Sequence, residues 1–226
     1  MNNGKEDNYI KEDTKFINML VGINDKQSRR NESINDLYNI NDLYNIYLRD
    51  LESKFPYQAF DTNFNQDPNK TPFDVRAFAQ EINLTINEER LDIDISGKLE
   101  NNIITVNSID RDYRQNFTIA HEIGHYLLAH GNITEYRRNE SFYTKEKLQN
   151  EEYADYFAAN LLLPASIISK VVSSFKNQLK IQNLLDNRYA TKVELVAKLK
   201  YFLDVSEQAV IKRLKALNYL ESYIWL

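Results

Sequence analysis

The stretch FTIAHEIGHYLLAH, residues 117–130, carries all three histidines of the chain. At about 100° of rotation per residue, His121 and His125 fall about 40° apart on one face of a helix, one turn from each other. Two imidazoles so placed can converge on a single ion. Glu122, beside the first, projects close enough to that ion to act as general base toward an activated water without being a ligand, which is the mechanical sense of H-E-x-x-H. His130 lies about 140° round the helix from His125 and is a poor third ligand, so it is expected to be solvated or to cap the helix end.

HExxH also arises by chance in helices, and the third ligand decides between the two readings. An extended HExxHxxGxxH site requires glycine at 128 and histidine at 131, where this chain has Leu128 and Gly131. That class is excluded, which leaves a carboxylate from another helix and a fourth position open to water. The run EEYADYFAANLLLP, residues 151–164, offers one. Glu151 and Asp155 share a helical face, and Ala154, Ala158 and Ala159 are small enough to let the two helices approach closely. Glu151 is expected to bind the metal and Asp155 to accept a hydrogen bond from the far nitrogen of a ligand histidine, fixing its tautomer. Glu152, about 100° away, is the weaker candidate. The competing account is an amphipathic helix with a solvated acidic start.

Composition narrows the chemistry further. With no cysteine, thiolate zinc sites, disulfides and cysteine nucleophiles are excluded, so any metal is held by nitrogen and oxygen. The five glycines are too scattered to form a phosphate-cradling loop. No apolar run spans a bilayer and MNNGKEDNYIKED lacks the apolar stretch of a signal peptide, so a cytoplasmic location is expected and no membrane association. The net charge of −5 divides unevenly, +5 over residues 165–226 and −10 over the rest. The C-terminal part therefore remains a candidate for facing DNA.

Along the chain, residues 1–71 are polar and contain the tandem hexapeptide INDLYN-INDLYN at 34–45, read as a short duplication within one helix over 33–54. A loop follows. Val75, Phe78, Ala79 and Ile82 recur at helical spacing, LDIDIS at 91–96 alternates like a strand, and NNIITVN at 101–107 reads as a second. Asp110 or Asp112 is expected to cap the histidine helix, with Gly131 in the left-handed position past its end. Further helices are expected over 145–162, over 192–203 with Thr191 and Glu194 as a capping box, and over 207–217 capped by Ser206. The expected fold is α+β, a small antiparallel sheet packed on the HExxH helix, with helices added.

The combination of RQNFTIAHEIGHYLLAH with EEYADYFAANLLLP resembles the ImmA/IrrE family of zinc metallopeptidases, including the spacing from His125 to Glu151. The resemblance extends over about residues 73–217 and takes in DVSEQAVIKRLKALNYL, similar to that family's helical tail; the usual LLMP reads LLLP here. It implies a zincin-like core over 72–165; residues 1–71, outside the resemblance, read as a polar, mostly helical extension, and 166–226 as a helical region with a helix-turn-helix-like pair. It also implies a zinc-dependent endopeptidase, with manganese as the alternative metal, that cleaves a helix-turn-helix repressor and so switches on mobile-element or stress genes. Tyr153, Tyr126 and Arg114 are candidates for a second donor to the developing oxyanion, which the sequence does not separate. Two other functions compete: a DNA-binding regulator using Lys212, Arg213 and Lys215, and a module that sequesters a repressor without cutting it. Leu195, Leu199, Val210, Leu214 and Leu217 can instead pack the C-terminal helix pair against the body, and because the candidate helix offers few positive charges and the rest of the chain is acidic, any DNA binding is expected to be weak and salt-dependent.

Overall fold

The structure is a computed structural model, and its described residues are 11, 14–23, 40–54, 73–129, 133–137, 145–181 and 188–220. They divide into two compact units, one containing residues 16–47 and 74–162, the other residues 48–73 and 163–226 together with the N-terminal 15. No single described helix is long and apolar enough to cross a membrane.

The first unit is built on a four-stranded sheet. Helices α1 (Thr14–Ile23) and α2 (Ile40–Lys54) precede α3 (Val75–Glu81), whose N-cap Asp74 accepts a hydrogen bond from the Ala77 amide. Asn83, at φ 61°, turns the chain into β1 (Thr85–Glu89), followed by β2 (Ile95–Glu100) and β3 (Ile103–Asn107). Asn101, at φ 56°, takes the left-handed conformation that asparagine tolerates in the tight turn between those last two. After α4 (Asp112–Leu128) come β4 (Ile133–Arg137) and α5 (Lys145–Leu162).

The strand order is β1-β3-β2-β4, with β1 parallel to β3 and the other pairs antiparallel. The sheet is thus mixed rather than antiparallel throughout, because TINEE forms a strand that sequence periodicity did not mark: it is largely exposed and has no apolar alternation. The strand expected at 91–96 begins only at Ile95. Its apparent alternation misleads because Ile93 is 77% exposed and finds no core. Residues 91–95 are instead bound as a loop by the buried Asn107 side chain, which accepts from the Leu91 amide at 3.2 Å and donates to the Asp92 and Ile95 carbonyls at 3.1 and 2.8 Å.

Helix α4 lies on β2, β3 and β4 and packs along α5. A Cβ at Gly97 would overlap the Thr118 methyl group and stand 2.9 Å from the Thr105 carbonyl oxygen, so glycine lets the helix settle on the sheet. Neither Asp110 nor Asp112 caps α4. The N-cap is Arg111, without a side-chain cap bond; Asp112 occupies the first turn, where a carboxylate meets the positive end of the helix dipole, and Asp110 pairs with Arg114 at 3.4 Å. The helix also stops before the expected residue 130, since Ala129 takes the left-handed position at φ 57°, ψ 45°; His130 and Gly131 lie outside the described residues. The polar N-terminal segment contributes core: Phe16 stacks edge-on against Tyr44 at 5.2 Å and Phe157 at 5.5 Å. Of the helix expected over 33–54, the described part is 40–54.

The second unit contains α6 (Ala165–Ile181), α7 (Arg188–Leu203) and α8 (Glu207–Ala216). Helix α6 had no counterpart in the expected elements; its buried stripe of Ile167, Ile168, Val171, Val172 and Phe175 is helical in period, but its β-branched run is ambiguous by composition. Because α7 starts at Arg188, position 191 stands inside the helix rather than at its N-cap, where it was expected. Ser206 does cap α8, accepting from the Ala209 amide at 3.1 Å. Leu195, Leu199, Val210, Leu214 and Leu217 are all buried, and so is Arg213, whose Nε donates to the Leu163 carbonyl at 3.0 Å. Of the three basic residues on α8, one is therefore turned inward.

Ala129 offers a direct test of the helix end. A non-glycine residue in the left-handed region costs roughly 1–2 kcal/mol, so Ala129→Gly is expected to stabilise the protein by about 0.5–1 kcal/mol and to raise the melting temperature by about 1–4 °C. A lowered melting temperature in calorimetry would show that the helix does not end there.

Candidate metal centre

Helices α4 and α5 bring the site together. His121 and His125 project from successive turns of α4, and Glu151 and Asp155 from successive turns of α5, so two parallel stripes face each other. His121 Nε2 lies 3.0 Å from a Glu151 carboxylate oxygen and 3.0 Å from His125 Nε2, and the other Glu151 oxygen is 3.6 Å from His125 Nε2. His121, Glu122, His125 and Glu151 are all buried.

Among the described residues, one group of His, Cys, Asp or Glu side chains is gathered tightly enough to hold a metal ion, and it is His121, His125 and Glu151, with ligand atoms within 4.8 Å of one another. A tetrahedral ion bonded at about 2.0–2.2 Å separates its ligands by roughly 3.3–3.6 Å, so the observed spacings need adjust by only a few tenths of an ångström. Neutral imidazole nitrogen and carboxylate oxygen are also the donor types suited to a divalent ion in the absence of thiolates. The residues present fit the group.

Behind the cluster, Asp155 accepts a hydrogen bond from His121 Nδ1 at 2.8 Å. This directs Nε2 toward Glu151 and His125, the arrangement in which an outer carboxylate orients a ligand imidazole. Glu152, one residue from Glu151, is exposed and faces away from the cluster.

The electrostatics follow from packing acids and imidazoles together. Burial opposes a charge on His121, but hydrogen bonds to Asp155 and Glu151 and the nearby Glu122 carboxylate overcome it and raise its pKa from 6.5 to about 9. Burial likewise opposes ionisation of Glu151, yet its hydrogen bonds to His121 and His125 lower its pKa from 4.5 to about 2. Without a metal, a proton on His121 holds the cluster together; a divalent ion supplies the same positive charge more strongly.

The candidate second donors separate in the structure. Arg114 lies two turns before His121, roughly 10 Å along the helix axis, and binds Ser96 Oγ at 3.2 Å. Tyr153 is 48% exposed and accepts from Gln149 at 3.4 Å, about 200° round α5 from Glu151. Tyr126 follows His125 directly, about 100° round α4 from it. Arg114 thus shares the histidine stripe but not its level, and the two tyrosines leave the stripe. Sequence reading also left aside the glycine between the histidines, which the packing of α4 on α5 makes informative.

Comparison with known proteins agrees with this geometry. The family model Peptidase_M78, described as IrrE N-terminal-like domain, matches residues 79–215 and so includes His121, Glu122, His125, Glu151 and Asp155. A similar protein is the radiation response metalloprotease IrrE of Deinococcus radiodurans, 36% identical over 78 residues that make up 34% of this chain and 24% of that protein. The chain thus spans about a quarter of the relative's length. With a family match across more than half of its residues and a buried His-His-Glu cluster inside the matched region, the chain belongs to the IrrE N-terminal-like family of metallopeptidases.

Proposed function

We propose that this protein is a zinc-dependent endopeptidase whose substrate is a helix-turn-helix transcriptional repressor. The observation that carries the enzymatic part is the convergence of two imidazoles and a carboxylate on one buried point, with a second carboxylate, Glu122, adjacent to it. A divalent ion held by His121, His125 and Glu151 supplies Lewis acidity, lowering the pKa of water to about 7 and polarising a carbonyl.

The chain's own residues do the rest. Glu122 takes the proton of the attacking water and delivers it to the leaving nitrogen, so the peptide bond breaks as an amine departs rather than an amide anion. Asp155 holds His121 in the tautomer that presents Nε2 to the ion. An extended substrate can add to an outer strand. β3 is paired on both sides, so this role falls to β4, the outer strand nearest α4.

The repressor as substrate rests on the resemblance to ImmA/IrrE proteins, and a stress-linked role is supported by the relative's name, radiation response metalloprotease. Such a substrate places the enzyme in the cytoplasm. The test is to incubate the purified protein with zinc or manganese and the product of a neighbouring repressor gene. A discrete fragment is expected; binding without a fragment for every such repressor would favour sequestration.

Variants divide the roles. Glu122→Gln is expected to keep about one equivalent of metal while cleavage falls on the order of 10²–10⁴-fold. Glu151→Gln should lose metal affinity as well, Asp155→Asn should lose about 10–100-fold, and Glu152→Gln should change neither. Metal loss in Glu152→Gln but not in Glu151→Gln would reassign the third ligand.

Metal uptake should also depend on pH. Since the raised pKa of His121 means that the ion displaces a proton, apparent affinity is expected to rise about tenfold per pH unit through neutral pH and to level off near 9. Glu151 is already ionised above pH 4.5 and adds no dependence in that window. A pH-independent affinity in competition titrations at about pH 6 and about pH 8 would contradict the protonated cluster.

A further inference from the structure

Gly124, between the two histidines of HEIGH, points at α5. A Cβ built at this position would stand 3.1 Å from the Ala154 Cα, 3.1 Å from the Phe157 Cβ and 3.3 Å from the Ala154 carbonyl oxygen. Carbon atoms pack at about 3.5–4.0 Å, so one added methyl group requires the helices to give by a few tenths of an ångström. The nearest obstacles are main-chain atoms and a Cβ, which no rotamer change can move aside. Ala154, Phe157 and Ala158 are fully buried, which leaves α5 little room to tilt in place.

Ala154 also lies between the two residues that α5 sends to the cluster, three after Glu151 and one before Asp155. We infer that Gly124 is a positioning residue for the metal centre: the absence of its side chain sets the α4–α5 spacing at which Glu151 and Asp155 both reach the histidines. The tolerance is small, because ligand distances must hold within about 0.2 Å and a functional constellation within about 0.5 Å. A glycine in mid-helix is otherwise a poor choice, since alanine has the higher helix propensity. Gly124→Ala therefore pits local helix stability against ligand geometry.

This inference rests on the metal-binding reading, and cobalt separates the two. The full chain is loaded with Co²⁺, whose visible absorption reports the number and geometry of its ligands, and wild type is compared with Gly124→Ala and Glu151→Gln. Failure of the wild type to take up cobalt would remove the metal reading itself. If it binds, Gly124→Ala is expected to lose about 10–100-fold in affinity, as for outer-shell changes, and to show an altered spectrum shifted toward that of Glu151→Gln. Its metal-free thermal transition should remain cooperative. A wild-type cobalt spectrum and affinity in folded Gly124→Ala would overturn the inference. Should that variant lack a cooperative transition, Ala154→Ser, which adds one atom to the buried α5 residue whose main chain faces Gly124, carries the same expectation and the same contrary outcome.

Discussion

Two imidazoles and a carboxylate buried in one place must satisfy one another, because water does not reach them. Leaving such groups unpaired in an apolar interior costs several kcal/mol each. In this protein the requirement is met by facing two helices at close range, so that His121 bridges Glu151 on one ring nitrogen and Asp155 on the other. The remaining architecture serves that approach. The sheet supports α4 from beneath, with Gly97 lacking the side chain that would collide with Thr118 and lift the helix off β2, while Phe16 packs edge-on against Phe157 of α5.

The same packing explains why the site is chemically poised. An imidazole flanked by carboxylates holds positive charge well above its ordinary pKa, and a carboxylate flanked by imidazoles remains ionised well below its own. The cluster is therefore a prepared site for positive charge. A divalent ion satisfies it with the donor types that the chain, lacking cysteine, can provide.

How much of this could be read from the sequence depended on periodicity. The α4 and α5 stripes follow from spacing alone, because residues four apart on a helix must share a face, and the structure places His121, His125, Glu151 and Asp155 within reach of one another. Where period gave no signal, the reading failed. TINEE is an exposed polar strand without alternation, and LDIDIS alternates but has Ile93 in solvent. The ends of α4 were also illegible, although Ser206 caps α8 as expected: Ala129 adopts a left-handed conformation that glycine was expected to take, and Arg111 precedes α4 without a capping side chain. Such choices are made by tertiary context, which overrides local preference. Arg213 is the sharpest example. Counted as part of a basic helix face, it is instead buried, with its guanidinium on the Leu163 carbonyl.

The most direct test of the central claim, that α4 and α5 together form one divalent-metal site, is a crystal structure of the zinc-loaded protein with anomalous data at the zinc edge. The expected result is a single strong peak about 2.0–2.2 Å from His121 Nε2, His125 Nε2 and a Glu151 carboxylate oxygen, with Asp155 still bonded to His121 Nδ1. A peak ligated through Glu122 or Glu152, or no peak between these helices in crystals grown with excess zinc, would contradict it.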